Sequence, residues 1–316
     1  MTSEKIAIID CYNQDIGLKI LFPAADYYIK FVEFQEKIPT MHSYNIVPKF
    51  DFNCIMDETY DTLFIIFPLY NIVSNTPYFN SKDLSFFNEI IAIINKNKFK
   101  KVCLFDNYDF DYDPNTIVKN QAHIDVFFKR NVNKTKNYQS NVMPFPFIMF
   151  GYQSMIELIA NKHKYTHITP VNKINRIFFT GTLTTERRHI YDKIANTIYN
   201  PGHLNFNVFL KTIQESKYAL DLNGAGNPNK RTFEILTNNS LLISERNPLT
   251  WPFPEQFCEA TLFNTAEEFH QKMRALRQDD NIYQQCLAVQ QDIVDKYLNL
   301  DWLRNYISVL SDLHKT

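Results

Sequence analysis

The sequence predicts an α/β fold of parallel sheets, on three observations. Apolar runs of strand length alternate with longer stretches of helical periodicity from one end to the other. Those runs are apolar on both faces, as strands covered by helices on two sides must be. The chain has 316 residues, 45% hydrophobic and 21% charged, enough for two such domains at about 150 residues each.

Taken in order, Lys5 to Ile9 is the first strand; its apolar run is too short for a signal-peptide core and ends in a charge, so no targeting segment is expected. Thr62 to Phe67, Lys101 to Phe105 and Val126 to Phe128 continue the sheet. Between them, Leu84 to Asn95 places Phe86, Phe87, Ile90, Ile91 and Ile94 at helical spacing, a core-facing stripe. At Met143 to Phe147, Pro144 and Pro146 deny both a helix and a central strand, and the first domain, residues 1–150, is expected to end there. After a helical stretch from Tyr152 to Lys162, strands restart at Arg176, Tyr218 and Ser240, giving a second Rossmann-like domain over 151–300. Ligands of such sheets bind at the carboxyl ends of the strands. Helical patterns at Ala266 to Arg277, Asn281 to Tyr297 and Trp302 to Leu313 close the chain.

Composition narrows the function. With 33 Lys+Arg against 34 Asp+Glu and a net charge of -1, no basic excess exists to displace counterions from DNA or RNA, so no nucleic-acid partner is expected. The five cysteines are odd in number and form no C-x-x-C pair, which argues against a disulfide framework and a zinc knuckle and fits a reducing, cytoplasmic setting. The apolar stretches Thr62 to Val73 and Val142 to Phe150 are too short to span a membrane. Gly-x-Ser-x-Gly is absent and no glycine fingerprint follows the first strand, so hydrolase and NAD-dependent readings lose support.

The most informative segment runs from Lys217 to Ser244 and reads as strand, loop, short helix, strand. Two of only six glycines, Gly224 and Gly226, fall in the loop, where backbone can approach a ligand without a Cβ in the way. Asn227 or Asn229 can cap the helix, Pro228 suits its first turn, and its free N–H groups favour an anion. Lys230, Arg231 and Glu234 share one face, two cations for a diphosphate and one carboxylate for the vicinal hydroxyls of a ribose. From spacing alone, a solvated helix face with an Arg231 to Glu234 pair fits equally well. A P-loop fails, because Asn229 replaces the glycine before the lysine and Arg231 the Ser or Thr after it.

This Gly loop, K-R-x-x-E helix and following strand resemble the donor-binding segment of GT-B glycosyltransferases, particularly the exostosin-like families and the group with a compact C-terminal glycosyltransferase domain. A second resemblance lies at Phe178-Phe-Thr-Gly-Thr-Leu-Thr-Thr-Glu-Arg-Arg. The likeness covers residues 176 to 310 and implies two Rossmann-like domains facing a cleft, with a last helix, 301–316, returning to the first domain. It implies a nucleoside-diphosphate sugar donor, UDP-sugar favoured, with Lys230 and Arg231 on the diphosphate and Glu234 on the ribose. Gly181, Thr182 and Arg187 would line the pyrophosphate side; Asn223, Gly224 and Thr232 complete the donor set. Where these families have Ala-x-x-x-Gly after the glutamate this chain has Ile235-Leu-Thr-Asn-Asn, and Asn238 or Asn239 can supply the left-handed turn.

Weaker signals complete the reading. Asp109, Asp111 and Asp113 form two overlapping Asp-x-Asp pairs that a metal-dependent GT-A transferase would use on a divalent cation; an acidic surface loop is the simpler account. An inverting transfer needs a general base, for which Asp10 and Asp15, then Asp106, stand by position beyond strands. His163 and His167 lack a third ligand, and no metal cofactor is expected. Phe145, Phe147, Phe150, Tyr152 and the Trp251-Pro-Phe-Pro run are sugar-stacking candidates, and Val142 to Phe150 is suited to peripheral membrane contact with a lipid-linked acceptor. The expectation is a metal-independent transferase acting on a glycan or glycoconjugate hydroxyl. Its rivals are the metal-dependent enzyme and a non-catalytic sugar- or nucleotide-binding protein.

Overall fold

Every strand pairing among the described residues is parallel, so every connection within a sheet must cross over it. The computed structural model describes residues 5–10, 27–30, 60–67, 69, 72, 81–106, 112–130, 132–145, 173–224, 230–247, 250–251, 253–254 and 256–313. The chain divides into two compact units, Met1–Ser154 with Arg304–Thr316, and Met155–Leu303.

The first unit holds β1 (Ile6–Asp10), β2 (Tyr27–Lys30), β3 (Thr62–Ile66), β4 (Lys101–Asp106), β5 (Val126–Lys129) and β6 (Val142–Pro144), in the spatial order β2-β1-β3-β4-β5-β6. Helix α1 (Ser81–Lys96) covers one face, setting Phe87, Ile90, Ile93 and Ile94 against Ala7, Ile9, Leu63 and Ile65. A second, short helix, α2 (Asn115–Val118), follows β4. Phe105 and Phe128 stack at 4.7 Å, and Phe145 meets both edge-on. The Tyr306 hydroxyl donates to Pro144 O at 2.7 Å, and burial raises its pKa. The Val142–Pro144 strand lies at the sheet edge, where a proline removes no ladder bond that a neighbour needs. Sequence pattern does not mark β2, whose Tyr-Tyr-Ile-Lys carries neither a clean alternation nor a continuous apolar run.

The second unit holds β7 (Ile174–Phe178), β8 (Ile198–Tyr199), β9 (Ser216–Asp221), β10 (Leu241–Glu245) and β11 (Leu262–Phe263), ordered β11-β10-β9-β7-β8. Between strands run α3 (Thr185–Ile194), α4 (Phe206–Glu215) and α5 (Lys230–Thr237), followed by α6 (Ala266–Gln278), α7 (Asp280–Tyr297) and α8 (Leu300–Leu313), the last crossing from this unit into the first. Short polar side chains start the helices: Thr184 accepts from Arg187 N, Asn205 from Val208 N, and Thr265 from Glu268 N. Asn239 ends α5 at φ 58°, the left-handed turn for which asparagine is suited. The Lys173 amine donates to Gln214 O (2.9 Å) and Asn239 O (2.6 Å), tying together the carboxyl ends of α4 and α5.

Trp251 and Phe253 are core, not sugar platforms: they are 8% and 4% exposed, and Trp251 packs on Phe233 while Phe253 stacks on Tyr297. Phe145 is likewise buried at 4%. In each case a large ring completes a core that smaller residues would leave with voids. Phe147, Phe150 and Tyr152 lie outside the described residues. Among the described residues, no helix is long and apolar enough to cross a membrane.

Candidate functional site

Counting from β7, the second sheet runs 2-1-3-4-5, so consecutive connections leave β7 in opposite directions and a crevice opens between the carboxyl ends of β7 and β9. The candidate residues converge on that switch point. After β7 the chain passes Phe179 and Thr180 to Gly181, whose φ of +146° few side chains tolerate. A Cβ there would stand 2.7 Å from both terminal nitrogens of Arg231, so glycine is what lets that guanidinium lie on the backbone. The Arg231 guanidinium also sits 5.1 Å from the Phe179 ring centre and 5.8 Å from that of Phe209.

The second loop repeats the device. After β9 come Leu222, Asn223 and Gly224, and a Cβ at 224 would lie 2.9 Å from Nε of Arg187. Arg187 reaches this loop from the first turn of α3, donating from Nη1 to Thr182 O at 2.9 Å. Its Nε is buried with no hydrogen-bond acceptor. Asn223 clamps the loop, its N–H donating to Glu245 Oε2 (2.9 Å) and its side-chain amide to Arg246 O (2.6 Å).

Helix α5 is not a solvated face. Thr232, Phe233, Glu234 and Leu236 are between 0% and 6% exposed. Thr232 Oγ1 donates a short hydrogen bond to Asp221 Oδ2 at the end of β9, which fixes the start of the helix on the sheet. Burial pushes the Arg231 pKa below the ordinary arginine range; Asp221 and Glu234 oppose that shift, and the charge of Arg187 adds to it. Arginine stays protonated even so. Two guanidinium groups thus act on each other across the crevice. Burial raises the Glu245 carboxyl, with Asp221 pushing the same way and the Asn223 hydrogen bonds and His189 opposing.

Gly181, Thr182, Arg187, Asn223, Gly224, Arg231, Thr232 and Glu234 therefore gather at one crevice, although Thr232 and Glu234 point into the protein. Lys230 opens α5, but its side chain lies outside the described residues, as do Gly226, Asn227, Pro228 and Asn229. In the first unit, Asp10 ends β1, paired with Lys30 and Ile66 at the equivalent switch point. Asp15, Asp109, Asp111, His163 and His167 lie outside the described residues. Asp106 is 1% exposed and bound by Lys129 Nζ at 3.1 Å and by the Tyr112 hydroxyl, so its environment is an internal ion pair. Sequence reasoning passed over Asp221, Glu245, Phe179 and Phe209. The usable signal for the first two was a carboxylate ending an apolar strand, in Ala-Leu-Asp and Leu-Ile-Ser-Glu.

Residues 171–306, the span that contains this crevice, match a family described as glycosyl transferase-like. No curated protein sequence matches the chain. Among solved structures, β-glucosyltransferase of phage T4, seen in complex with UDP and Mn2+, is 14% identical and superposes with a TM-score of 0.54 over 98% of this chain and 99% of its own. HepE of Anabaena, in complex with UDP, is 9% identical with a TM-score of 0.59, covering 96% and 98%. The chain has the two-domain GT-B fold, and its second half resembles a glycosyltransferase-like family. The β7/β9 switch-point crevice, with Arg187 and Arg231 beside it, lies within the matched span. Among the described residues, no group of three or more His, Cys, Asp or Glu could hold a metal ion.

Proposed function

We propose that this GT-B protein transfers a sugar from a UDP-sugar to a hydroxyl of a glycan or glycoconjugate, without a metal ion. One observation carries the reading: Arg187 and Arg231 act on each other across the switch-point crevice, each lying against a glycine, and Arg187 Nε is buried without an acceptor. Two like charges brought together at a partly desolvated site cost free energy that a bound dianion would return. A nucleoside diphosphate supplies such a dianion, and as a leaving group it develops further negative charge during transfer. Fixed guanidinium groups and the N–H groups opening α3 and α5 are suited to stabilise that charge in place of a cation.

Within this reading Arg231, Arg187 and Lys230 hold the diphosphate, the Gly181–Thr182 and Asn223–Gly224 loops approach it with backbone, and Glu234 and Thr232 anchor α5 beside the ribose. UDP is favoured as the nucleotide because both structural neighbours above bind it. Asp10 and Asp15 are the proposed positions for an acceptor base. The test is nucleoside diphosphate release from UDP-, GDP-, ADP- and dTDP-sugars, each with and without EDTA. Release tied to UDP and indifferent to EDTA is expected; release abolished by EDTA would overturn metal independence, and stabilisation by UDP without release in the presence of acceptors would leave a binding protein.

A further inference from the structure

Away from the crevice, the second unit carries a cavity of about 350 Å3 beside β7 and α6. Its floor is apolar: Ile177, Phe269 and Met273 are between 0% and 3% exposed. His270, Arg274 and Arg277 line it at spacings of four and three along α6, one stripe of the helix. Neither Arg274 nor Arg277 has an ion-pair or hydrogen-bond partner among the described residues. The nearby carboxylates leave both arginines alone: Asp280 pairs with Lys217 at 2.9 Å, and Glu267 interacts first with its own helix start, then with Lys193 and with His270. None of the lining residues belongs to the switch-point crevice.

Two guanidinium groups over a buried apolar floor suit one kind of ligand, because the floor gains from excluding water and the guanidinium groups gain from charge-assisted hydrogen bonds. The volume lies at the lower end of small-molecule sites, about 300 to 1,000 Å3. We propose that this cavity is a second small-molecule site, which takes a compact apolar body bearing one anionic group, a carboxylate or phosphate monoester. The body rests on Ile177 and Met273, and the anion sits between Arg274 and Arg277. A site so placed can carry an effector while the donor crevice is occupied.

Calorimetric titration of the full chain with phenyl phosphate tests it, run in saturating UDP and again in Arg231→Ala so that the donor crevice does not contribute. Inorganic phosphate supplies the anion without the body, and benzyl alcohol the body without the anion. Phenyl phosphate should bind in both backgrounds, with each control at least about tenfold weaker. Arg274→Gln/Arg277→Gln, changes at exposed positions, should weaken phenyl phosphate at least about tenfold and leave UDP binding unchanged. Four results overturn the proposal: no binding at about 5 mM, displacement by UDP, equal affinity for inorganic phosphate, or binding retained by the double variant. Each is readable whether or not the donor crevice proves to hold UDP.

Discussion

The two sheets share a strand order, 2-1-3-4-5 from the first strand of each with a sixth strand added in the first, yet the charges described at their carboxyl ends are arranged in opposite ways. In the first unit, Asp106 and Lys129 face each other in register at the ends of β4 and β5, both side chains 0% exposed, and their charges cancel within the protein. The second unit instead sets Arg187 and Arg231 at its switch point, each on a glycine. The same topology closes the ends of β4 and β5 with an internal ion pair in one sheet and brings two guanidinium groups to the switch point in the other. The fold supplies the crevice, and a handful of residues decide what it accepts.

That contrast can be broken most forcefully in the first unit. Lys129→Met strands the Asp106 carboxylate in the core, where one oxygen already lacks a partner, and should cost about 3–5 kcal/mol in urea unfolding. Asp106→Leu/Lys129→Met should recover most of the loss; a single variant as stable as the wild type would show that the pair is not buried as described. In the second unit the larger effect falls on function. Arg231→Ala should cut turnover at least tenfold, about 1.4 kcal/mol or more, in a chain that still folds, although the buried Asp221 and Glu234 lose a favourable charge. Normal turnover in the folded variant would remove Arg231 from the diphosphate site.

The glycines sharpen the comparison further. Gly224→Ala pushes only the flexible end of Arg187, so donor KM should rise about tenfold with little change in melting temperature. Gly181→Ala also forces a Cβ onto a backbone at φ +146° and should lose about 1–3 kcal/mol of stability as well. Equal effects on stability at the two positions would remove the distinction between strain and contact.

The smallest expected effect is a pH slope. Burial raises the Glu245 pKa above its ordinary value, so the folded chain holds this proton more tightly than the unfolded chain. Stability from this group is present below the ordinary pKa and is lost as pH rises through the raised one. Glu245→Gln keeps an oxygen for the Asn223 N–H and removes the titration. Its melting temperature relative to wild type should therefore climb between about pH 4 and pH 7. A flat difference would place Glu245 in water.

Much of the fold was legible because it rests on periodicity. The apolar runs at 62–66, 101–106 and 216–221 and the stripe Phe87, Ile90, Ile94 are recorded residue by residue in the chain. The short strands β2, β8 and β11 were not, since two to four residues carry too little pattern and take their pairing from neighbours. The aromatic surplus misled for a related reason: Phe145, Trp251 and Phe253 look alike in sequence whether they face a sugar or a core, and packing alone decides.

By itself the sequence determined the parallel α/β class, the two loops that end in Gly181 and Gly224, and the clustering of Arg231 with Glu234 on one short helix, because local spacing and backbone freedom fix these. Only the tertiary structure brought Arg187 onto the second loop and Arg231 onto the first. It also turned Asp106 inward to Lys129 and sank α5 into the protein. Charges far apart in the chain act on one another through distance and burial, and neither quantity exists until the sheet has placed them.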